Sequence, residues 1–309
     1  MRRRPLSFWL GCLVLAGYTL LALLSSWIAP FDPRLVTGSP LAPPGQGHLL
    51  GTNDLGQDTL SQLIHGTRGT LVVVALVTAI STALSWLAGL VAGFFRSWET
   101  VLMPIADLVL ALPSLPLYLL ILTFAGSNRI TLILTLAGTT WPAFAKIVRS
   151  IVLTTRSAPY VEASSALGAS RFWLTRRHVF PMTLDALPAK LVLTARFAVF
   201  AETTLAFLGA AGGDQVSWGM MLNWALSDPL LFSRPVWPWL VLPPSVAIAL
   251  LVLAITWIGA GVGAPHLQRA TWPVGASRHG SSRSPRPVIA LRRRRTPSGA
   301  GATQAVVDR

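Results

Sequence analysis

Apolar residues in this chain come in long runs separated by short polar segments. The runs cover about Phe8 to Ile28, Leu71 to Phe95, Val101 to Ala125, Ile130 to Ile151, Leu184 to Ala211 and Leu240 to Val262. A helix of about 20 apolar residues rises about 30 Å, the thickness of a bilayer's hydrocarbon core. The pattern therefore predicts an all-α polytopic membrane protein with six transmembrane helices. A transmembrane barrel would show alternating segments of about ten residues, and none are present. Between the first two runs, a Pro/Gly-rich connection leads into a helical segment, "NDLGQDTLSQLIHG", apolar at Leu55, Leu60, Leu63 and Ile64. Three regions result: an anchor helix with its external segment over 1–70, a five-helix core over 71–265, and a tail over 266–309.

One polar stretch interrupts this pattern, "YVEASSALGASRFWLTRRHVFP" from Tyr160 to Pro181. Ser157 can cap a helix, Pro159 suits its first turn, and Glu162 lies near the positive end of its dipole. Ala163, Ala166 and Leu167 form a small apolar face. Gly168 can take the left-handed conformation that ends a helix. Ser170 can cap a second helix bearing Phe172, Trp173 and Val179, which Pro181 closes. Such a basic amphipathic pair either rests on lipid headgroups or docks onto a partner.

Charge orients the chain. Charged residues make up 12% of it, about half the usual share for a soluble domain. The net charge is +14 and sits in loops and tail, with a block at Arg292 to Arg295. Arg2, Arg3, Arg4, Arg96, Arg156, Arg171, Arg176, Arg177 and the tail arginines fall on one side of the membrane, and only Arg34, Arg68, Arg129 and Arg234 on the other. The positive-inside rule makes both termini cytoplasmic, N-in and C-in, and places Tyr160–Pro181 there too. It also explains the basic loops without nucleic acid. The first run, about 21 residues long, exceeds the apolar region of a signal peptide and is expected to stay as a span. Residues 270–309, rich in Ser, Pro, Gly and Arg, are expected to be disordered.

Candidate chemistry is sparse. Cys12 is the single cysteine, which excludes an intrachain disulfide. A phosphate-binding loop needs Gly-Lys before Ser or Thr, and the only lysines, Lys146 and Lys190, both follow alanine. The five histidines are scattered, so no metal site is expected, and no nucleophile elbow is present. The chain does not read as an enzyme. Ionisable residues within spans are costly and call for a role. Asp107, Arg149, Arg196 and Glu202, with Lys146 and Lys190, are the candidates. Asp107 and Glu202 serve either cation recognition and proton relay, or structural pairing, for example Glu202 with Arg196 or Arg149. Pro113, Pro116 and Pro142 are expected to kink their helices, and small residues around Gly209 and Gly212 to permit close packing.

Glu162-Ala163, Gly168 six residues after the glutamate and Pro181 thirteen after the glycine resemble the EAA loop of ABC importer permeases. "HLLGTNDLGQDTLSQLIHGTRGTL", "ADLVLALPSLPL", "WPAFAKIVRS", "AETTLAFLGAAG" and "SWGMMLNWA" are similar, in order and spacing, to the C-type subunit of the dipeptide/oligopeptide/nickel permease family. The resemblance covers about residues 1–265. It implies an ATPase-coupling loop at about 157–181 in which Glu162, Ala163, Ser164, Leu167, Gly168, Ala169, Arg177 and Pro181 take part. It also implies an inner-membrane location and four kinds of neighbour: a homologous second permease subunit, two cytoplasmic ATPase subunits, an extracytoplasmic solute-binding protein and the bilayer. ATP and Mg would sit on the ATPases, with no cofactor on this chain. The implied cargo is di- or oligopeptides, or else nickel or another small solute, and twelve tryptophans favour peptides. The reading from another class, an ion-coupled secondary transporter using Asp107 and Glu202, would have few spans and no inverted repeat. Departures are Ser164 in place of the motif's second alanine, Gln57 in place of an arginine, a short "GAAGGDQVSWG" loop, and an ending "VGAPHLQRA" without the usual acidic residues.

Overall fold

The computed structural model describes residues 5–45, 47–212 and 216–269. These residues are helical apart from loops, with three isolated bridges and no strand. In chain order the helices are α1 (Leu6–Leu23), α2 (Ser25–Ile28), α3 (Thr59–Phe94), α4 (Arg96–Ala111), α5 (Ser114–Ala125), α6 (Arg129–Thr140) and α7 (Pro142–Arg156). There follow α8 (Pro159–Ala166), α9 (Arg171–Leu174), α10 (Phe180–Leu184), α11 (Leu187–Phe207), α12 (Trp218–Leu226) and α13 (Trp237–Arg269). Arg2, Arg3, Arg4 and the tail over 270–309, expected above to be disordered, lie outside the described residues.

The segment 29–58 is held by side chains bonded to its own backbone. Asp58 caps α3 by accepting from the Ser61 N–H and also meets His48 Nδ1 at 2.9 Å. Gln57, the departure from the family pattern, accepts from Asn53 and Gln62 and donates to the Arg34 carbonyl. Its amide therefore has its partners in place.

The expected separate helix before a span starting at Leu71 is not observed. Thr59 to Phe94 is one helix of 36 residues. Nothing between them breaks it, because Gly66 and Gly69 face close neighbours instead: a Cβ on Gly69 would lie 2.3 Å from the Val216 carbonyl oxygen. At 1.5 Å per residue this helix is about 54 Å long, so one end projects well beyond a hydrocarbon core of about 30 Å.

α3 is the centre of the bundle. Its residues Ser81, Ser85, Gly89 and Gly93 recur every fourth position and are buried on one face. α7 lies against them so closely that a Cβ on Gly89 would be 2.6 Å from the Ala145 carbonyl oxygen, and one on Gly93 2.6 Å from Val152. Small residues at this spacing let two backbones approach where lipid offers no hydrophobic drive to association. The core beside them is made of Val77, Leu122, Leu136, Leu205, Trp218 and Leu251. α1 packs on α13 through Gly11, and Tyr18 Oη donates to the Ala247 carbonyl at 3.1 Å.

The third apolar run is not one straight span. It breaks at Leu112-Pro113 into α4 and α5, bent by 98°. Proline forces the residue before it out of the helical region, and Leu112 is extended at φ −80°, ψ 138°. Pro116 falls in the first turn of α5, where no N–H is missed, and adds no second kink. Pro142 separates α6 from α7, which together form a 28-residue candidate span.

The helix ends sort into two groups. Arg156 Nη1 donates to the Gly93 carbonyl at 3.0 Å, so α3 and α7 finish together. At the other end Gly212, after α11, abuts Ser127, between α5 and α6. The bent pair α4–α5 thus leads from the first end to the second. Among the described residues, four helical segments are long and apolar enough to cross a membrane, and the bent pair, taken as one span, makes a fifth. α11, with 21 residues, carries Lys190, Arg196 and Glu202.

Candidate functional site

The loop between α7 and α11 is built as two short helices around one glycine. Ser157 does not cap the first of them. Its Oγ donates to the Leu153 and Thr154 carbonyls, finishing α7, and the extended Ala158 precedes Pro159 instead. A hydroxyl that close to free carbonyls of the preceding helix is drawn back to them. Pro159 and Glu162 occupy the first turn of α8 as expected.

Gly168 ends α8 at φ +90°. Its N–H bonds to the Ser165 carbonyl and that of Ala169 to the Ser164 carbonyl, the two-bond pattern of a Schellman turn. The Ser170 Oγ then accepts from the Trp173 N–H and caps α9. Pro181 does not close the element: the chain continues helically through a π-turn over Thr175–Val179 into α10, where Pro181 sits in the first turn. The wider turn absorbs the place where proline cannot donate.

One side of this loop is anchored and the other is bare. Val161, Leu174 and Val179 are buried, Val179 within a cluster that includes Phe144, Val148 and Val152 of α7. His178 is held between the rings of Tyr160 and Trp173, at 5.4 and 5.5 Å, and ties α8 to α9. Glu162, Ala163, Gly168, Arg177 and Pro181 are exposed, Ser164 and Ala169 partly so, and Leu167 is 89% exposed. Ser164 Oγ donates to the Tyr160 carbonyl at 2.8 Å, which folds its hydroxyl onto the helix and leaves an alanine-like outline. A cavity of about 530 Å³ lies beside the loop, bounded by Phe94, Arg156, Val161, Glu162, Leu174 and Val179.

The intramembrane charges are arranged differently from expectation. Arg149 pairs with Glu99, and Asp107 pairs with Lys146, both between α4 and α7. Arg149 is therefore not the partner of Glu202. Arg196 is exposed and has no hydrogen bond or ion pair among the described residues, so it is not that partner either. The two lie six residues apart on α11, off the three- and four-residue spacing that brings helical side chains together. Glu202 is 2% exposed and sits among the hydroxyls of Thr70, Thr203 and Ser217, with Arg129 the cation nearest in effect.

Sequence reasoning named Asp107 and Lys190 as candidates but missed Glu99, the small-residue stripe on α3 and the contact that Lys190 makes. Glu99 and Asp107 are eight residues apart, two helical turns, and that spacing was the available signal for a shared face. The stripe on α3 carried a repeat of small residues. Lys190 is buried and donates to the Thr140 carbonyl at 3.1 Å and to Ser81 Oγ at 3.3 Å, with the Phe144 ring 5.5 Å away. It thereby serves a carbonyl at the α6–α7 break, which no local pattern announced. Gly209 and Gly212 act as left-handed turn residues, at φ +76° and +82°, and Gly212 also permits close approach to Ser127.

The model of the binding-protein-dependent transport system inner membrane component matches residues 84–263. The chain is 33% identical to the di/tripeptide transport system permease protein DppC of Pseudomonas aeruginosa, over 82% of this chain and 84% of the relative. It is 29% identical to the glutathione transport system permease protein GsiD of Pectobacterium atrosepticum, over 71% and 72%.

Proposed function

We propose, from the premise that this chain belongs to the family of inner membrane components of binding-protein-dependent transport systems, that it forms half of a pathway importing di- or oligopeptides. The chain is a transport subunit of an ABC importer, and the ion-coupled alternative loses its basis. The peptide reading draws on relatives named for di/tripeptide and glutathione transport.

The single observation that carries the mechanism is the loop's two-sidedness. Val161, Leu174 and Val179 are buried, Val179 against α7, while Leu167 stands 89% exposed beside Gly168. In this reading Glu162, Ala163, Ser164, Leu167, Gly168 and Ala169 enter a groove on a cytoplasmic ATPase, with Arg177 and Pro181 along the same loop. Closure of two such ATPases moves α7 and α11, which the loop joins, and so changes access to the pathway. ATP and Mg belong to the ATPases, and no cofactor sits on this chain.

Six crossings complete the reading: α1, α3, the bent α4–α5, α6–α7, α11 and α13, with both termini cytoplasmic. The arginine distribution supports this orientation. The Asp107–Lys146 pair is 64% and 36% exposed on its two sides. Exposed charge at membrane depth is costly against lipid, so this face is assigned to the pathway and the homologous second permease. A solute-binding protein delivers cargo at the end that carries segment 29–58.

Leu167→Cys supplies the test. In membranes holding the assembled complex, a short thiol cross-linker should join it to an ATPase subunit, and Trp27→Cys, exposed at the opposite end, should not react so. Absence of the Leu167 cross-link while ATPase co-purifies would refute the docking assignment.

A further inference from the structure

We propose that the groove between α1, α3, α11 and α13 is a binding site for one membrane glycerophospholipid. The site would take an acyl chain along its length and the phosphate at Arg68. It rests on the bundle being membrane-spanning, and is independent of which solute the pathway carries.

The groove encloses about 780 Å³, and its lining includes Leu15, Thr19, Ala75, Ala79 and Ile258, with Arg68 at one end. Its wall is apolar over nearly its whole length. From Arg68 to Ala79 the axis of α3 advances about 16 Å at 1.5 Å per residue, close to half of a hydrocarbon core of about 30 Å. That is the depth one acyl chain occupies in one leaflet.

Arg68 fixes the polar end. Leu23, the last residue of α1, lines the groove as Arg68 does, so the groove reaches the end of that 18-residue span. Arg68 is exposed and has no hydrogen bond or ion pair with any described residue. Its charged neighbours include His65 and Arg129, both basic, and Asp32 acts on His65. A guanidinium left without a carboxylate beside an apolar channel of leaflet depth is complementary to a phosphate with a chain below it.

Small side chains hold the groove open: α3 presents Ala75 and Ala79 to it, four residues apart and both exposed. Gly11 and Gly261 draw α1 and α13 together at one end, against Ala254 and Phe8 respectively. Tyr18 Oη, bonded to the Ala247 carbonyl, ties the same two helices again farther along, and the groove lies beside that contact.

The experiment is native mass spectrometry of the full transport complex, released from the bacterial membrane in mild detergent. One phospholipid should remain on each copy of this chain after annular lipid has been stripped. Arg68→Gln should weaken its retention about tenfold or more, the scale of a lost charge-assisted hydrogen bond. Ala75→Phe should abolish retention by filling the groove. Both positions are exposed, and unchanged assembly with the partner subunits would show that each variant folds. A photo-reactive benzoylphenylalanine at Ala79 should give a phospholipid adduct. Equal lipid retention in all three proteins, or a photo-adduct to a protein segment instead of lipid, would overturn the proposal. Loss of peptide uptake with lipid retention unchanged would bear on the transport reading alone.

Discussion

Glu99 on α4 and Arg149 on α7 form an ion pair across the two helices, and Asp107 with Lys146 forms a second pair farther along the same seam. The order is antiparallel, with Glu99 against the later basic residue and Asp107 against the earlier one. The seam joins the helix on one side of the Pro113 bend to α7, which leads into the loop over 157–186. Movement of α7 therefore has a direct charged contact with α4.

The Glu99–Arg149 pair, with side chains 28% and 29% exposed, should be worth more than a surface bridge and less than a fully buried one. Glu99→Gln should lower stability by about 1–3 kcal/mol, between those two limits. Exchanging the charges, with Glu99→Arg and Arg149→Glu together, should recover most of the loss. Thermal unfolding of the purified complex reads this. A double variant no better than the single one would show that Arg149 is held by something other than Glu99.

The α3–α7 contact predicts an asymmetry among glycines. Gly93→Val would force a side chain into Val152, and Gly89→Leu into Val148 and the Ala145 carbonyl. Each should cost about 1–3 kcal/mol or more through overpacking. Gly17→Leu meets nothing within 4 Å and should be neutral or slightly stabilising, since leucine is the better helix former. Melting temperatures of the three variants in one detergent would decide it. Equal tolerance at Gly93 and Gly17 would mean that the two helices do not touch as described.

What could be read ahead of the structure was local chemistry. Gly168, Ser170 and Pro159 announced a turn, a cap and a helix start because each acts on backbone within a few residues. The break at Pro113 was legible as a kink, but the 98° between α4 and α5 was not. A proline fixes where a helix fails, and packing decides where the chain goes next. Ser157 was misread because two helices compete for its hydroxyl, and a sequence does not say which wins.

The charges show the other limit. Their presence at membrane depth was plain, and their partners were not. Arg149 and Glu99 lie 50 positions apart, and their meeting depends on the register of α4 against α7. That register is set by the stripe Ser81, Ser85, Gly89 and Gly93, which holds α7 in place and carries no charge. The Lys190 contact with Thr140 is likewise 50 positions long. Pattern within a helix was visible, and pairing between helices was not.

Orientation in the membrane can be tested with thiols. With Cys12 first replaced, Ser39→Cys in the external segment should react in intact cells with a reagent that cannot cross the membrane. Ser97→Cys and Ser165→Cys should react only after the cells are opened. All three serines are exposed, so failure to label reports sidedness rather than burial. Labelling of Ser165→Cys from outside would place the coupling loop on the wrong face and overturn its assignment.

Gly168 separates local strain from docking. Its φ of +90° disfavours any Cβ, yet nothing lies within 4 Å of where that Cβ would go. The strain of a side chain there is about 1–2 kcal/mol, and asparagine tolerates such a conformation better than most residues. Gly168→Asn should therefore leave both folding and transport near normal. Gly168→Trp pays a similar local strain within this chain, because the space around it is open. Its extra effect can arise only where another molecule must approach. The tryptophan variant should insert and melt within a few degrees of the asparagine variant, yet lose substrate-stimulated ATP hydrolysis and uptake. Two outcomes would end the coupling argument: normal transport by Gly168→Trp, or equal loss of transport in both variants, which would assign the effect to the turn itself.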